Sequence, residues 1–214
     1  YNNSVNRATT GTKAWSNALA GIKLSTVLYA SNRIGAALAG YMYQASEWEG
    51  IMYRFGRAFG EEAEENYKWI NRLNAELQIN VQQFMQYASI YGTMLKGFGV
   101  AQKDAAAMAM NYTELTYDIW AGYNDIYKSF EDAAIAVRSA IAGEVEPIRR
   151  AGFTIVDSQL KITAANYGIA YSTQSASEEL KSYLRYLTLI DQAKAQDLIG
   201  TYAREMTTAE GLMR

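Results

Sequence analysis

The chain contains 214 residues, half of them hydrophobic and a fifth charged, with no histidine, no cysteine and a single proline. Without histidine or cysteine it cannot build a Ser-His-Asp or Cys-His nucleophile, a zinc finger or a disulfide. Metal sites would have to be made of oxygen ligands, and acid–base chemistry would fall to carboxylates, lysine and tyrosine. The 33 alanines and the lone proline favour helix over sheet.

Charge is distributed unevenly along the chain. The formal net charge of −2 is too balanced to indicate a nucleic-acid binder. Residues 1–46 nevertheless carry four basic and no acidic residues, a net of +4, and the remaining 16 basic and 22 acidic residues give −6. The first residue is Tyr1 and not methionine, so we expect an internal or processed piece of a longer protein. No signal peptide is evident, and Lys23 and Arg33 interrupt the most apolar stretch, so no membrane span is expected.

The N-terminal quarter predicts a loop followed by helices. Residues 1–12 are small and polar, and a helix is expected from Lys13. The Gly/Ala-rich run 35–40 can bring two helices close together, although a plain buried helix accounts for it better. Ser46-Glu-Trp-Glu49 matches a capping box and predicts a helix start. Because the charge balance also changes there, we divide the chain into a basic segment, 1–45, and a helical core, 46–214.

The middle of the chain shows the longest apolar stripe. The acidic run 61–65 is typical of a solvated first helical turn, which fits it better than a metal site does. From Ile70 to Tyr91, apolar residues recur every three or four positions and predict one helix of about 20 residues. The glycine-containing stretch 92–99 is expected to end it.

Two further helices are well marked. Apolar spacing from Ala105 to Ile119 predicts the first of them. The second follows Ser129-x-x-Asp132, a capping pattern, and ends at Gly143, a typical left-handed position.

The C-terminal third predicts shorter elements and then a long helix. Asp157 or Ser158 is expected to cap a helix that ends near Tyr167. A second capping-box match, Ser175-x-x-Glu178, predicts a long helix that continues to about Met206.

Together these elements predict an all-α fold, a multi-helix bundle joined by short turns that contain glycine and serine. Residues 154–157 are the only strand-like stretch, and they are too short to build a sheet. The apolar stripes are not strict heptads, and no solenoid repeat is present.

Nothing in the sequence selects a catalytic centre. Carboxylate pairs can hydrolyse glycosides, but neither Glu144 with Glu146 nor Asp118 with Asp125 has a spacing that singles it out. The glycines at 97 and 99 lack the remainder of a phosphate loop. We expect no enzyme activity, no cofactor and no metal site.

The aromatic content allows two interpretations. The 17 tyrosines and four tryptophans can stack on sugars or bases. However, several tyrosines lie beside apolar stripes, where core or interface positions are more usual: Tyr87, Tyr91, Tyr112 and Tyr123.

One segment has a pattern more specific than helical periodicity. It ends a helix with Gly-Glu-Val-Glu-Pro-Ile-Arg-Arg-Ala-Gly, so that glycine stops one helix and proline starts the next within about four residues. The carboxylates lie where the new helix has free N–H groups, and the arginines lie within reach of those carboxylates. We interpret the motif as a structural corner between two helices, in preference to a ligand site. Its residues are Gly143, Glu144, Glu146, Pro147, Arg149, Arg150 and Gly152.

This segment resembles the helical core of tail tape measure proteins from long-tailed bacteriophages and prophages. In that family a helix ends in Gly-Glu-x-Glu-Pro-Leu-Arg-x-x-Gly-Ile, and the next helix begins like residues 157–160 here. The likeness extends over about residues 46–214, including the small-residue and Met stretch 105–118. The chain departs from the family pattern at Ile148, at Phe153 and at Gln196-Asp197, where a glycine often intervenes.

The resemblance implies a structural virion protein. Such proteins fill the lumen of the tail tube, set tail length during assembly, and leave the tube when the genome is ejected. Implied partners are copies of the same chain, since such proteins are often trimeric, together with tail-tube and tail-tip proteins and the host membrane at ejection. At about 1.5 Å per helical residue a continuous helix of this length would span roughly 320 Å. The glycine breaks instead predict a folded module of the tape.

Three alternatives remain open at this level. The basic, Gly/Ala-rich N-terminal segment is also compatible with a membrane-active or channel-forming helical module. A wall-degrading domain is the second alternative. DNA contact through the +4 segment is the third.

Overall fold

The computed structural model describes residues 39–206 and residue 208, with side chains from residue 47 onward. All regular elements in this part of the chain are helical, which confirms the all-α prediction. The loop predicted over residues 1–12 and the helix predicted from Lys13 lie outside the described residues.

The chain divides into two compact units with the boundary between Ile90 and Tyr91. The first unit contains α1 (Ala39–Phe59), a 3-10 turn (Gly60–Glu62), α2 (Ala63–Leu77) and the first half of α3 (Val81–Gly97). In the second unit the second half of α3 leads into α4 (Gln102–Gly122), α5 (Phe130–Ala142), α6 (Glu146–Arg149), α7 (Asp157–Asn166), α8 (Glu178–Ala195) and α9 (Thr201–Met206).

The helix start predicted at Ser46 is wrong. Helix α1 runs through that position without interruption, because the backbone is already helical from Ala39. A capping side chain acts only at a free helix end, and here the preceding turn supplies the hydrogen bonds. A separate segment 1–45 stays a prediction, since most of it lies outside the described residues.

The first unit is held together by aromatic packing. Phe55 and Phe59, one helical turn apart on α1, stack with ring centroids 4.2 Å apart. Trp69 on α2 meets Phe84 on α3 edge to face at 5.6 Å. The acidic run 61–65 lies in the 3-10 turn and the start of α2, where Glu64 pairs with Lys68 at 2.9 Å. It is a partly solvated turn, as expected.

The single helix predicted across residues 70–91 is two helices. Helix α2 ends at Leu77, and Gln78 adopts a left-handed conformation with φ 53°. Asn80 then caps α3, because its Oδ1 accepts a hydrogen bond from the Gln83 N–H at 3.1 Å. Ile79 in the connection is buried, so the apolar stripe continues across the break and hides it from a periodicity search.

Helix α4 is central to the second unit. It packs against α5, α8 and α9, while α5 also contacts α6 and α8, and α7 lies on α8. The fully buried Tyr91 hydroxyl lies 3.1 Å from Thr116 Oγ1 and donates to the Ala134 carbonyl at 3.2 Å. This one side chain therefore connects α3, α4 and α5.

The tyrosine prediction is largely confirmed. Tyr87, Tyr91 and Tyr112 are buried, as expected for core residues. Tyr123 is half-buried, and its hydroxyl donates to Gln196 Oε1 at 2.6 Å.

Helix α5 begins and ends as predicted. Ser129 Oγ accepts from the Asp132 N–H at 3.1 Å, and an Asp132 carboxylate oxygen accepts from the Ser129 N–H at 3.0 Å, which completes the capping box. Gly143 has φ 94° in the left-handed region.

Both predicted caps of the later helices are wrong in position. Helix α7 begins after Val156 with no side-chain cap. The Asp157 carboxylate instead accepts from Tyr171 and Thr173, and pairs with Lys161 at 2.9 Å. Helix α8 is capped by Ser177, whose Oγ accepts from the Leu180 N–H at 3.1 Å.

The long helix predicted to reach Met206 is also interrupted. Helix α8 ends at Ala195, and α9 starts at Thr201. Between them Asp197 has φ 53° and Gly200 has φ 78°, two left-handed residues that no continuous helix contains. This break falls where the sequence departs from the tape measure pattern, at Gln196-Asp197.

Candidate functional site

The motif forms the predicted corner, residues 143–152. Gly143 ends α5, and the Glu144 N–H donates back to the Ser139 carbonyl at 2.8 Å. Pro147 occupies the first turn of α6, a position that needs no N–H donor. The chain leaves this short helix through Gly152, whose φ is 79°.

Buried apolar side chains anchor the corner to the core of the second unit. Ile148 and Phe153, two of the positions at which the chain departs from the tape measure pattern, are completely buried. Both keep apolar volume in the core, so the departures preserve the packing that the corner needs. The hydroxyl of buried Tyr127 donates to the Pro147 carbonyl at 2.8 Å and ties α6 to the α4–α5 connection.

The guanidinium of Arg185, on α8, lies beside Gly143, a contact that the sequence did not reveal. A Cβ added at Gly143 would lie 2.7 Å from an Arg185 guanidinium nitrogen, closer than real Cβ atoms approach such neighbours. The guanidinium donates to the Ile141 carbonyl at 3.3 Å and pairs with Glu178 at 3.5 Å. It thereby joins the end of α5 to the start of α8. No local signal connects positions 42 residues apart, so sequence reasoning missed it.

The charged residues of the motif face outward. Glu146 pairs with Arg149 at 2.5 Å, and both side chains are at least half exposed. Glu144 is exposed, and so is Arg150. Of the carboxylates and arginines expected to lie within reach of one another, the structure pairs Glu146 with Arg149, and the buried parts of the corner are backbone and apolar groups.

Beside the corner lies a shallow, open cavity of about 350 Å³. Ala136 and Tyr127 form its buried part, and exposed Arg150 and Asp132 lie at its edge. The Asp132 carboxylate is already engaged in the α5 capping box. The cavity is too open, and its polar groups too few and too solvated, to define a ligand site of the usual enclosed kind.

The carboxylates considered as catalytic pairs occupy different environments. Asp118 is buried on α4, where its two oxygens accept from the Gly200 N–H at 2.9 Å and the Tyr202 N–H at 3.0 Å. Asp125 is exposed. Asp118 thus holds the start of α9, a role that its sequence neighbours did not indicate because the partners lie 82 and 84 residues away.

A second acidic side chain lies one turn before Asp118 on α4. Burial, and then the charge of Asp118, raises the pKa of Glu114 to about 8. Burial also raises the pKa of Asp118, although hydrogen bonds from the Gly200 and Tyr202 N–H groups oppose this. Such a pair often marks a functional site, but structural networks perturb pKa values in the same way.

The described residues contain neither a metal-binding cluster nor a helix that could span a membrane. No group of three or more Asp and Glu side chains in residues 39–206 is arranged to hold a metal ion. None of the described helices combines the length and apolar character needed to cross a bilayer.

Comparison of the chain with protein-family models, with curated proteins and with solved structures found no match. The likeness to tape measure proteins therefore depends on the quoted motif and its neighbouring residues.

Proposed function

We propose that the chain is a folded helical module of a phage tail tape measure protein, which sets tail length during assembly and is released at genome ejection. The observation that supports this proposal is the corner itself. The residues that resemble the family motif form a junction between two helices, with left-handed Gly143 beside the Arg185 guanidinium and Pro147 in the first turn of α6. If the motif is common to this chain and the family for a structural reason, its residues are expected to lie at a junction between helices.

The distribution of polar groups in the corner favours a structural role over a binding role. Its inward-facing groups are satisfied by one another, as with Tyr127 and the Pro147 carbonyl. Its charged groups are solvated and paired locally. An enzyme or ligand site would be expected to aim polar groups into an enclosed cavity.

The breaks between helices favour a folded module over an extended rod. Helices α4, α5 and α8 pack on one another, so this part of the chain spans far less than a continuous helix would. We propose that the module contacts other copies of the chain or tail-tube and tail-tip proteins, within the tail lumen or at its tip.

Mass spectrometry of purified phage particles tests the proposal directly. Peptides of this chain should be present in intact particles and depleted from tails after DNA ejection in vitro, while tube-protein peptides are retained. In-frame duplication of residues 1–214 in the parent gene should lengthen tails by clearly less than the roughly 320 Å of a continuous helix. A particle without the chain, or a tail length indifferent to duplication, would contradict it.

The membrane-active alternative depends on the basic segment 1–46 and has its own test. If it is correct, the full chain releases a dye from vesicles that contain anionic lipid and not from neutral vesicles. A tape module without this activity leaves both vesicle types intact.

A further inference from the structure

The C-terminal arm, residues 196–206, is a short element attached to the second unit by specific contacts. It contains the bend after α8 and the whole of α9. The Asp118 carboxylate holds its Gly200 and Tyr202 N–H groups. Leu198 is buried, and the Tyr202 ring lies 4.9 Å from Tyr117 and 6.2 Å from Trp120.

The surface that receives the arm is shaped for it. A Cβ added at Gly122 would lie 2.5 Å from Leu198 Cδ2, so the arm packs directly on a bare Cα of α4. The aromatic wall beside it is made by Tyr117, Trp120 and Phe130, whose rings contact one another. Without the arm, the aromatic wall would be exposed to water, and water would have to replace the Gly200 and Tyr202 N–H donors of Asp118.

The bend that places the arm is locally unfavourable. Asp197 adopts a left-handed conformation at a position where helix ends usually have glycine. Arg204 compensates by donating to the Asp197 carbonyl at 2.6 Å and the Ile199 carbonyl at 3.0 Å. Within the segment 178–206, Gly200 is the one residue of low helix propensity between Ala195 and Thr201, so little in the sequence besides this glycine opposes a continuous helix.

A straight form of the same segment is therefore accessible. If residues 197–200 become helical, α8 and α9 join into one helix over residues 178–206, about 43 Å long. The arm then points away from its own α4 and leaves the Gly122 and Asp118 surface empty. The arm of a second copy is the ligand that fits this surface, because the contacts are the ones already seen within one chain.

We propose that the arm is exchangeable: the bend at residues 196–200 straightens, and the arm docks on α4 of a second copy of the chain, whose arm docks in return. The proposal rests on the packing of the second unit and does not depend on the tape measure function. Copies of the chain could then assemble through the Gly122 and Asp118 surface of α4, which in a single chain is covered by the chain's own arm.

Two substitutions in the bend should act in opposite directions. Gly200→Ala disfavours the bend, because alanine rarely adopts φ 78°, and favours continuous helix. Asp197→Gly does the reverse. In size-exclusion chromatography with light scattering, over a concentration series of the full chain, G200A should raise the dimer fraction at least tenfold over the wild type, and D197G should lower it. Gly97→Ala, in a helix end with open space around it, is the matched glycine control and should change nothing.

A second pair of variants locates the interface. Gly122→Val places side-chain atoms where Leu198 packs, and Asp118→Asn removes one of the two acceptors, so either change combined with G200A should return the protein to monomer. Circular dichroism confirms that helix content is retained. A G200A protein that stays monomeric, a D197G protein that dimerises more, or a G200A dimer that persists in both double variants would each overturn the proposal.

Discussion

At the scale of single residues, two independent features of the structure favour glycine at position 143. Its φ of 94° places it in the left-handed region, and the Arg185 guanidinium lies where a Cβ would be. The first requirement follows from the sequence, because a glycine after an apolar stripe indicates a helix end. The second comes from a helix that follows more than 30 residues later, and a side chain at position 143 would require the Arg185 guanidinium to move.

Gly143→Ala should therefore lower the free energy of unfolding by about 1–2 kcal/mol from the backbone conformation alone, with a further loss if Arg185 is displaced. Gly97→Ala is the control, since it has no left-handed φ and open space around it. Urea denaturation of both variants measures the difference. Equal stabilities would show that the corner tolerates a side chain at Gly143.

Two buried tyrosines of the second unit form a contrasting pair. The Tyr91 hydroxyl is hydrogen-bonded to Thr116 and to the Ala134 carbonyl. The Tyr112 hydroxyl is fully buried and has no hydrogen-bond partner among the described residues. Burial accordingly raises the pKa of Tyr112 well above its usual range.

Replacing each of these tyrosines by phenylalanine should change stability in opposite directions. Tyr91→Phe removes the hydroxyl's hydrogen bonds to Thr116 and to the Ala134 carbonyl, although Thr116 Oγ1 still donates to the Tyr112 carbonyl, and should cost about 1 kcal/mol. Tyr112→Phe removes a polar atom that was buried without compensation, so it should be neutral or stabilising by about 1 kcal/mol. Thermal unfolding followed by circular dichroism compares them. A destabilised Tyr112→Phe variant would contradict the assignment of an unsatisfied hydroxyl.

At the scale of elements, the start of α8 shows that a residue pattern can match a capping box although a different residue caps the helix. Ser175-x-x-Glu178 satisfies the sequence rule, yet Ser177 makes the hydrogen bond to the Leu180 N–H. Ser177→Ala should therefore cost about 1 kcal/mol, and Ser175→Ala, at an exposed position before the helix, should stay within about 0.5 kcal/mol of the wild type. Chemical denaturation of the two variants decides between the positions. A larger loss of stability in Ser175→Ala than in Ser177→Ala would show that Ser175 caps the helix, as the sequence predicted.

Elements with strong local signals could be predicted from sequence, and elements fixed by distant contacts could not. The limits of α5 were predictable because Ser129, Asp132 and Gly143 act within one turn of the helix ends. The break at Gln78 was not, because Ile79 continues the apolar stripe while the backbone departs from helix. The bend at Asp197 depends on Arg204 and on Asp118, whose donors lie more than 80 residues away.

In the candidate site, too, the features set by neighbouring residues could be predicted and those set by tertiary contacts could not. The corner between α5 and α6, with Pro147 at its start and Glu146 beside Arg149, follows from residues close together in sequence. The Arg185 contact and the Tyr127 bond to the Pro147 carbonyl depend on tertiary packing, which no spacing rule encodes.

At the scale of the whole molecule, carboxylates with opposite pKa shifts shape the dependence of stability on pH. Hydrogen bonds from Lys161, Thr173 and Tyr171 lower the pKa of Asp157 to about 2. A lowered pKa contributes stability that is present above the ordinary value and lost as the pH falls through the folded value. This exposed group therefore favours the fold above about pH 4, and salt should screen much of its effect.

Glu114 acts in the other direction. Its pKa of about 8 means that the folded chain holds a proton that the unfolded chain releases near pH 4.5. The free energy of unfolding must therefore fall as the pH rises from about 4.5 to about 8, because the folded state binds more protons over that range. Of these two groups, Asp157 favours the fold at higher pH and Glu114 favours it at lower pH.

Glu114→Gln keeps the shape of the side chain and removes its charge, so it should flatten the decline above pH 4.5. Since one pKa unit corresponds to about 1.4 kcal/mol and part of this side chain remains in contact with solvent, we expect the variant to be about 1–2 kcal/mol more stable than the wild type at pH 7, and nearly equal to it at pH 4.5. Glu76→Gln, on the exposed face of α2, is the control and should leave the profile unchanged. Urea titrations from pH 4 to pH 8 at constant ionic strength measure all three proteins. A difference independent of pH would show that Glu114 is ionised in the folded chain, and that its proximity to Asp118 carries no proton linkage.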